Sequence, residues 1–198
     1  MTKPHLYQVE DGWIEIYPGD QFHFASPRPG EIRVESVAHS LSQLCRYNGH
    51  TRRFYSVAEH VCLMSDWVMR QPWATPRDGL TALHHDDAEY IIGDLARPVK
   101  VTMPQFKATE TVLDEAIAEE FGTIFPFPAW LKDADNRILK DERRAVMVPS
   151  PHDWGVDVLE ELGVRFWWVL GRFSWVAKRR YLRRHHRLWD LAHRGAAG

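Results

Sequence analysis

Two short strings constrain this chain more than anything else in it: YSVAEH at residues 55–60 and HHDDAE at residues 84–89. They put His60, His85, Asp86 and Glu89 on segments with helical periodicity. Imidazoles and carboxylates presented from packed helices are the materials of a metal-dependent hydrolase. A later acidic segment, KDADNRILKDE at 132–142, offers Asp135 to close such a site.

The surrounding pattern predicts a mostly α chain that fits one domain at 198 residues. Residues 1–33 read as an N-terminal attachment, with WIEIYPG and QFHFAS alternating as the strands of a hairpin around a Pro-Gly-Asp turn. Helical spacing begins at Val34, Val37, Leu41 and Leu44 and stops at NGH. Ser56 is an N-cap for VAEHVCLMSDWVMR, and Glu59 three residues on completes a capping box. Further helices are expected over 76–93, 104–121 and 130–147, with GDLARPVK as a turn and loop between the first two. IFPFPAW and PSPHDWG are breaks, VDVLEELG reads as a short helix, and the chain ends in one or two helices.

Cys45 and Cys62 look like helix-interior thiols, not a disulfide framework. The first residues lack the apolar core of a secretion signal, and the most apolar run, VRFWWVLGRF, is too short to span a bilayer, so a cytoplasmic, non-membrane protein is expected. The formal charge of -2 hides an asymmetry: residues 173–198 carry +6, leaving -8 over residues 1–172. The tail is therefore the one strongly basic part, suited to a subunit contact or to drawing in an anionic substrate. No recognised nucleic-acid motif accompanies it.

Spacing alone leaves the metal site open. His85 and Asp86 are helical neighbours about 100° apart, so they share one ion only if it sits in a groove against a second helix. With His60 and Asp135 they make a two-His, two-Asp set, whose mixed donors suit Mn, Fe, Co, Ni or Zn. His84 is a further ligand in principle, whereas Asp87 and Asp133 read as solvated neighbours. Glu89, one turn after Asp86, is positioned to move a proton. Arg46, His50, Arg52 and Arg53 surround the loop before the second helix, and Lys100 follows the GDL turn; these cations are suited to phosphate. Tyr47 could face a base.

The set formed by His60, His85–Asp86 and Asp135 resembles the H…HD…D signature of HD-domain phosphohydrolases. YSVAEH, HHDDAE, GDLARPVK and ADNRILKDE resemble the branch holding bacterial 5′-deoxynucleotidases and phage-type dATP and dNTP triphosphohydrolases, over about residues 34–147. The resemblance implies an all-α HD-domain helical bundle over 34–172, with the small β attachment before it and the basic helical tail of 173–198 after it. It implies that His60, His85, Asp86 and Asp135 hold one divalent transition metal, with additional Mg or Mn on the substrate phosphates. Glu89 then matches the catalytic acid, Asp94 the carboxylate on the deoxyribose 3′-hydroxyl, and Arg46 the phosphate-gripping arginine. Tyr47 stands where the 5′-deoxynucleotidases often have Trp.

The expected activity is hydrolysis of a 2′-deoxynucleotide, first as a dATP-preferring triphosphohydrolase releasing deoxynucleoside and triphosphate. A 5′-deoxynucleotidase and a non-catalytic nucleotide- or DNA-binding protein are the alternatives. The implied setting is a bacterial cell or its phage, as a homo-oligomer (dimer or hexamer) acting on small molecules without membrane or nucleic acid.

Overall fold

The computed structural model describes residues 12–28, 30–166 and 173–194. Two strands, β1 (Ile14–Ile16) and β2 (Asp20–Phe22), pair antiparallel with Ile14 opposite Phe22 and Ile16 opposite Asp20. Their alternation turns Ile16 and Phe22 into the core. The expected hairpin is therefore present, and it caps a bundle of eight helices among the described residues.

The bundle is built around α2 (Val57–Val68), which is buried on nearly every side. Its start is fixed by the capping box: Glu59 N–H donates to Ser56 Oγ, and Glu59 Oε2 accepts from Ser56 N–H at 2.9 Å. Against α2 pack α1 (Val34–Leu41), α3 (Pro76–His84), α7 (Ala129–Val146) and α8 (Ser174–Arg194). α3 begins with its own capping box from Thr75 and Asp78. Gly79 costs α3 about 1 kcal/mol of helix propensity, yet a side chain there would collide with Met69 and crowd Leu188 of α8.

The sequence predicts one helix over 76–93, and the structure breaks it. α3 ends at His84, residues 85–88 form a tight turn, and α4 (Glu89–Ile92) follows until Gly93, at φ 79°, redirects the chain. No Gly or Pro marks this break. Asp87 is anchored within it: its side chain is fully buried, with His84 Nδ1 at 2.5 Å and the Tyr181 hydroxyl donating to both oxygens at 2.7 and 2.8 Å. Asp87 is thus not the solvated neighbour expected, whereas Asp133 is exposed and pairs only with Arg137. His84 is taken up in the same network, with its Nε2 3.0 Å from His185 Nδ1, and is no ligand candidate.

GDLARPVK contains one turn of helix, α5 (Arg97–Lys100), before α6 (Pro104–Phe121). The helix expected at VDVLEELG is absent. Residues 148–163 follow an irregular path because α7 supplies the partners a helix would have supplied. Asp141 accepts N–H bonds from Leu162 and Gly163, and Lys140 donates to the carbonyls of Asp157 and Leu159. Cys45 lies in an extended bridge to Ser56, not in a helix; Cys62 is buried in α2, and both are free thiols.

Residues 174–194 do not stand apart as a tail. α8 buries Ala177, Tyr181, His185 and Leu188 along one stripe against α1, α2 and α3, leaving its arginines mainly outward. Trp167 and Trp168, which by sequence suit core packing or a subunit contact, lie outside the described residues. Among those described, no helix is long and apolar enough to cross a membrane.

Removing the Tyr181 hydroxyl leaves the buried Asp87 short of its shared donor. Tyr181→Phe should lower stability by about 1–3 kcal/mol, read from the midpoint of urea unfolding at unchanged slope.

Candidate metal centre and its cleft

Three segments distant in sequence bring the expected ligands together. His60 projects from the first turn of α2, His85 and Asp86 sit in the turn after α3, and Asp135 lies on α7. Ligand atoms of His60, His85 and Asp135 all lie within 4.8 Å of one another. Asp86 joins them, with one oxygen 3.4 Å from His60 Nε2 and the other 3.4 Å from His85 Nε2. Asp135 Oδ1 is 3.5 Å from His60 Nε2. The break after α3 removes the difficulty that adjacent helical residues diverge: a turn, not a helix, aims His85 and Asp86 at one point.

The residues fit a metal ion on a specific observation. Nε2 of both histidines is buried without a hydrogen-bond partner among the described residues. His85 Nδ1 lies 2.9 Å from the Ala82 carbonyl, which can only accept, so Nδ1 carries the proton and neutral His85 presents a lone pair at Nε2. His60 Nδ1 lies 2.6 Å from Glu142 Oε1, the carboxylate–histidine arrangement that orients a metal-ligating ring. Two imidazole nitrogens and two carboxylates form a donor set for a divalent transition ion.

Glu142 is the group that sequence reasoning missed. It stands seven residues after Asp135, hence on the same side of α7, but a glutamate within KDERR reads as a solvated charge. In the fold it is completely buried. Oε1 also accepts from the Tyr55 hydroxyl at 2.7 Å, while Oε2 accepts from Arg46 Nη2 at 3.3 Å and from the Tyr47 hydroxyl. Burial alone would raise its pKa, but Arg46 and His60 overcome that and hold it down at about 2. His60 responds in kind. Burial and the Arg46 charge push it down, Glu142 and Asp135 push harder the other way, and it stands at about 9. Asp135 is held well below the usual carboxylate range, its burial outweighed by His60, His85 and Arg46.

Asp86 and Asp135 also line a cleft of about 690 Å³. Arg46 lines it, fixed by Asp86 Oδ2 and Glu142, with its Nε buried and unpartnered among the described residues. Glu89 enters it with Oε2 buried and unpartnered in the same sense. Burial, reinforced by the Asp86 and Asp94 charges, pushes the Glu89 carboxyl well above the usual range against the pull of Arg46 and Lys100. Asp94 and Lys100 line the cleft as well, Lys100 bonded to Glu110 at 2.6 Å.

Not all expected side chains gather here. Tyr47 lines the cleft, but its hydroxyl is committed to Glu142. Arg52 instead closes the end of α7, donating to the Ala145 carbonyl at 2.8 Å. His50 and Arg53 are exposed and outside the cleft lining. A loop next to a site in sequence is free to face elsewhere, and this one wraps the α7 terminus. Among the cleft residues that went unread are Arg97, bonded to Asp135 Oδ2 at 2.9 Å and to Asn136, and Trp154 from PSPHDWG.

No family model matches the chain. It is 31% identical over 144 residues to the uncharacterized protein YfdR of Escherichia coli, covering 73% of this chain and 78% of YfdR. It is 34% identical over 130 residues to an uncharacterized protein of Rhodobacter capsulatus, covering 64% of this chain and 66% of that protein.

An ion entering this site must displace the proton held by His60. Apparent affinity for Co²⁺ or Mn²⁺ should therefore rise about tenfold per pH unit as pH approaches 9, and level off above, in titrations followed by proton release. Glu142→Gln should weaken metal binding about 10–100-fold and move the plateau to lower pH, because the main group raising His60 is gone.

Proposed function

Because the chain belongs to the family of Escherichia coli YfdR, a protein whose name states no activity, we propose its function from the cleft itself: a metal-dependent phosphohydrolase acting on 2′-deoxynucleotides. One observation carries this reading. Two buried imidazole nitrogens, without a hydrogen-bond partner among the described residues, converge with two carboxylates that line a cleft also holding Arg46, Glu89 and Lys100. The resemblance to HD-domain phosphohydrolases supports the same chemistry.

A divalent ion held by His60, His85, Asp86 and Asp135 supplies Lewis-acid polarisation of a phosphoryl oxygen and a water of lowered pKa. The chain's own residues do the rest. Arg46 keeps its charge despite burial, because Glu142 and Asp86 stabilise it, and its guanidinium offsets charge developing on the phosphate oxygens. Glu89, with its raised pKa, holds a proton on its carboxyl and delivers it to the departing sugar oxygen. Asp94 accepts from the 3′-hydroxyl, which orients a deoxyribose across the cleft.

We favour the monophosphate as substrate, giving deoxynucleoside and phosphate. This reverses the order expected from sequence. The case for a longer phosphate chain leaned on His50, Arg52 and Arg53, and those side chains are outside the cleft lining. The triphosphate reading keeps one supporting observation, that Arg97 and Lys100 line the same cleft as Arg46.

The test is product analysis of Mn²⁺- or Co²⁺-loaded protein with dAMP, dATP, AMP and ATP. Phosphate from dAMP supports the favoured reading, intact triphosphate from dATP the second, and no turnover of any of the four overturns both. Glu89→Gln should lower kcat about 10²–10⁴-fold while metal content by atomic absorption stays at the wild-type level.

A further inference from the structure

We propose that Trp154 is the base platform of this cleft, its indole stacking on the nucleobase while the phosphate lies toward Arg46. The inference rests on the deoxynucleotide reading above and adds a residue that neither spacing nor resemblance assigned.

Trp154 sits in an irregular segment, yet that segment is held firmly. Arg143 of α7 donates to both oxygens of Asp157 at 3.0 and 3.2 Å, to the Ser150 carbonyl at 3.1 Å and to the His152 carbonyl. Gly155 N–H donates to Asp153 Oδ1 at 2.7 Å. The same guanidinium lies 5.2 Å from the centre of the Trp154 ring. The indole also meets Tyr47, 5.7 Å away between ring centroids and tilted by 44°. Tyr47 is itself fixed, because its hydroxyl is bonded to the buried Glu142. One α7 cation and one tethered tyrosine thus hold a tryptophan that remains 39% exposed.

A tryptophan held in place but left partly open in a concave site has area to offer a flat partner. The cleft is lined both by charged side chains, among them Arg46, Asp86, Glu89, Asp135 and Asp153, and by Trp154, Leu139 and Val156. A nucleotide carries a partner for each kind, an anionic phosphate and an aromatic base. Its size also suits a cleft of about 690 Å³. Stacking needs no hydrogen bond from the base, so it accepts any base, more strongly as the ring system grows. Arg143 is a positioning residue in this scheme, acting only through Trp154 and its loop.

Equilibrium binding separates this inference from hydrolysis. With Glu89→Gln as the parent protein throughout, so that turnover does not consume the ligand and wild type refers to position 154, Mn²⁺-loaded protein is titrated calorimetrically with dAMP and, separately, with 2-deoxyribose 5-phosphate, which keeps sugar and phosphate but lacks the base. Wild type should bind dAMP more tightly by about tenfold or more. Trp154→Ala should abolish that advantage and leave the affinity for the sugar phosphate within twofold of wild type. Trp154→Phe, which keeps a ring in the loop, should retain part of the advantage and guards against a loss caused by misfolding. The inference is overturned if wild type shows no advantage for dAMP, if Trp154→Ala keeps it, or if that variant weakens both ligands equally. If the advantage is present and Trp154-dependent while the protein with Glu89 intact hydrolyses no nucleotide, the platform stands and the hydrolase reading falls.

Discussion

The site depends on one buried carboxylate. Glu142 accepts hydrogen bonds from Tyr47, Tyr55 and Arg46 and pairs with His60 Nδ1, so it ties α7 to α2 and to the loop between α1 and α2. Stripping partners from a buried charge costs about 3–5 kcal/mol, so these partners act as a set. Through His60 the carboxylate fixes a ring whose other nitrogen faces the candidate ion. Through Arg46 it reaches Asp86, a second member of the same centre. Two of the four candidate ligands are therefore oriented by one group that touches none of the open space.

α7 divides its labour between two sides. Asp135 and Glu142, seven residues apart, face the candidate metal centre, Glu142 through His60. Arg137, Lys140, Asp141 and Arg143 bracket the irregular chain of residues 150–163, satisfying backbone groups that have no regular partner there. The helix that builds the chemistry thus also builds the far wall of the cleft. This is why a strongly charged helix, which reads as a solvent-facing one, is structurally central.

What could be read from sequence was what local chemistry decides. The Ser56–Glu59 cap, the hairpin strands and the limits of α6 follow from short-range signals, and the structure has them. His60, His85, Asp86 and Asp135 were singled out by the H…HD…D resemblance, not by rarity among 11 histidines and 27 acidic residues, and the structure brings them near one another. The break after His84 was not legible, and the hydroxyl that holds its buried Asp87 comes from Tyr181, nearly a hundred residues away. Glu142 was hidden by its charged neighbours, and the missing helix at 156–163 by bonds that come from another element. Arg52 was misread because nearness in sequence says nothing about which way a loop side chain faces.

The same distance between Tyr181 and Asp87 carries a consequence for how the molecule is made. A ribosome adds about 5–20 residues per second, so roughly 5–20 s separate synthesis of the turn at 85–88 from synthesis of the residue that completes it. During that interval Asp87 and His84 lack Tyr181 and His185 as partners. The polar network beneath the turn that carries His85 and Asp86 is therefore closed only once α8 has been made and has docked.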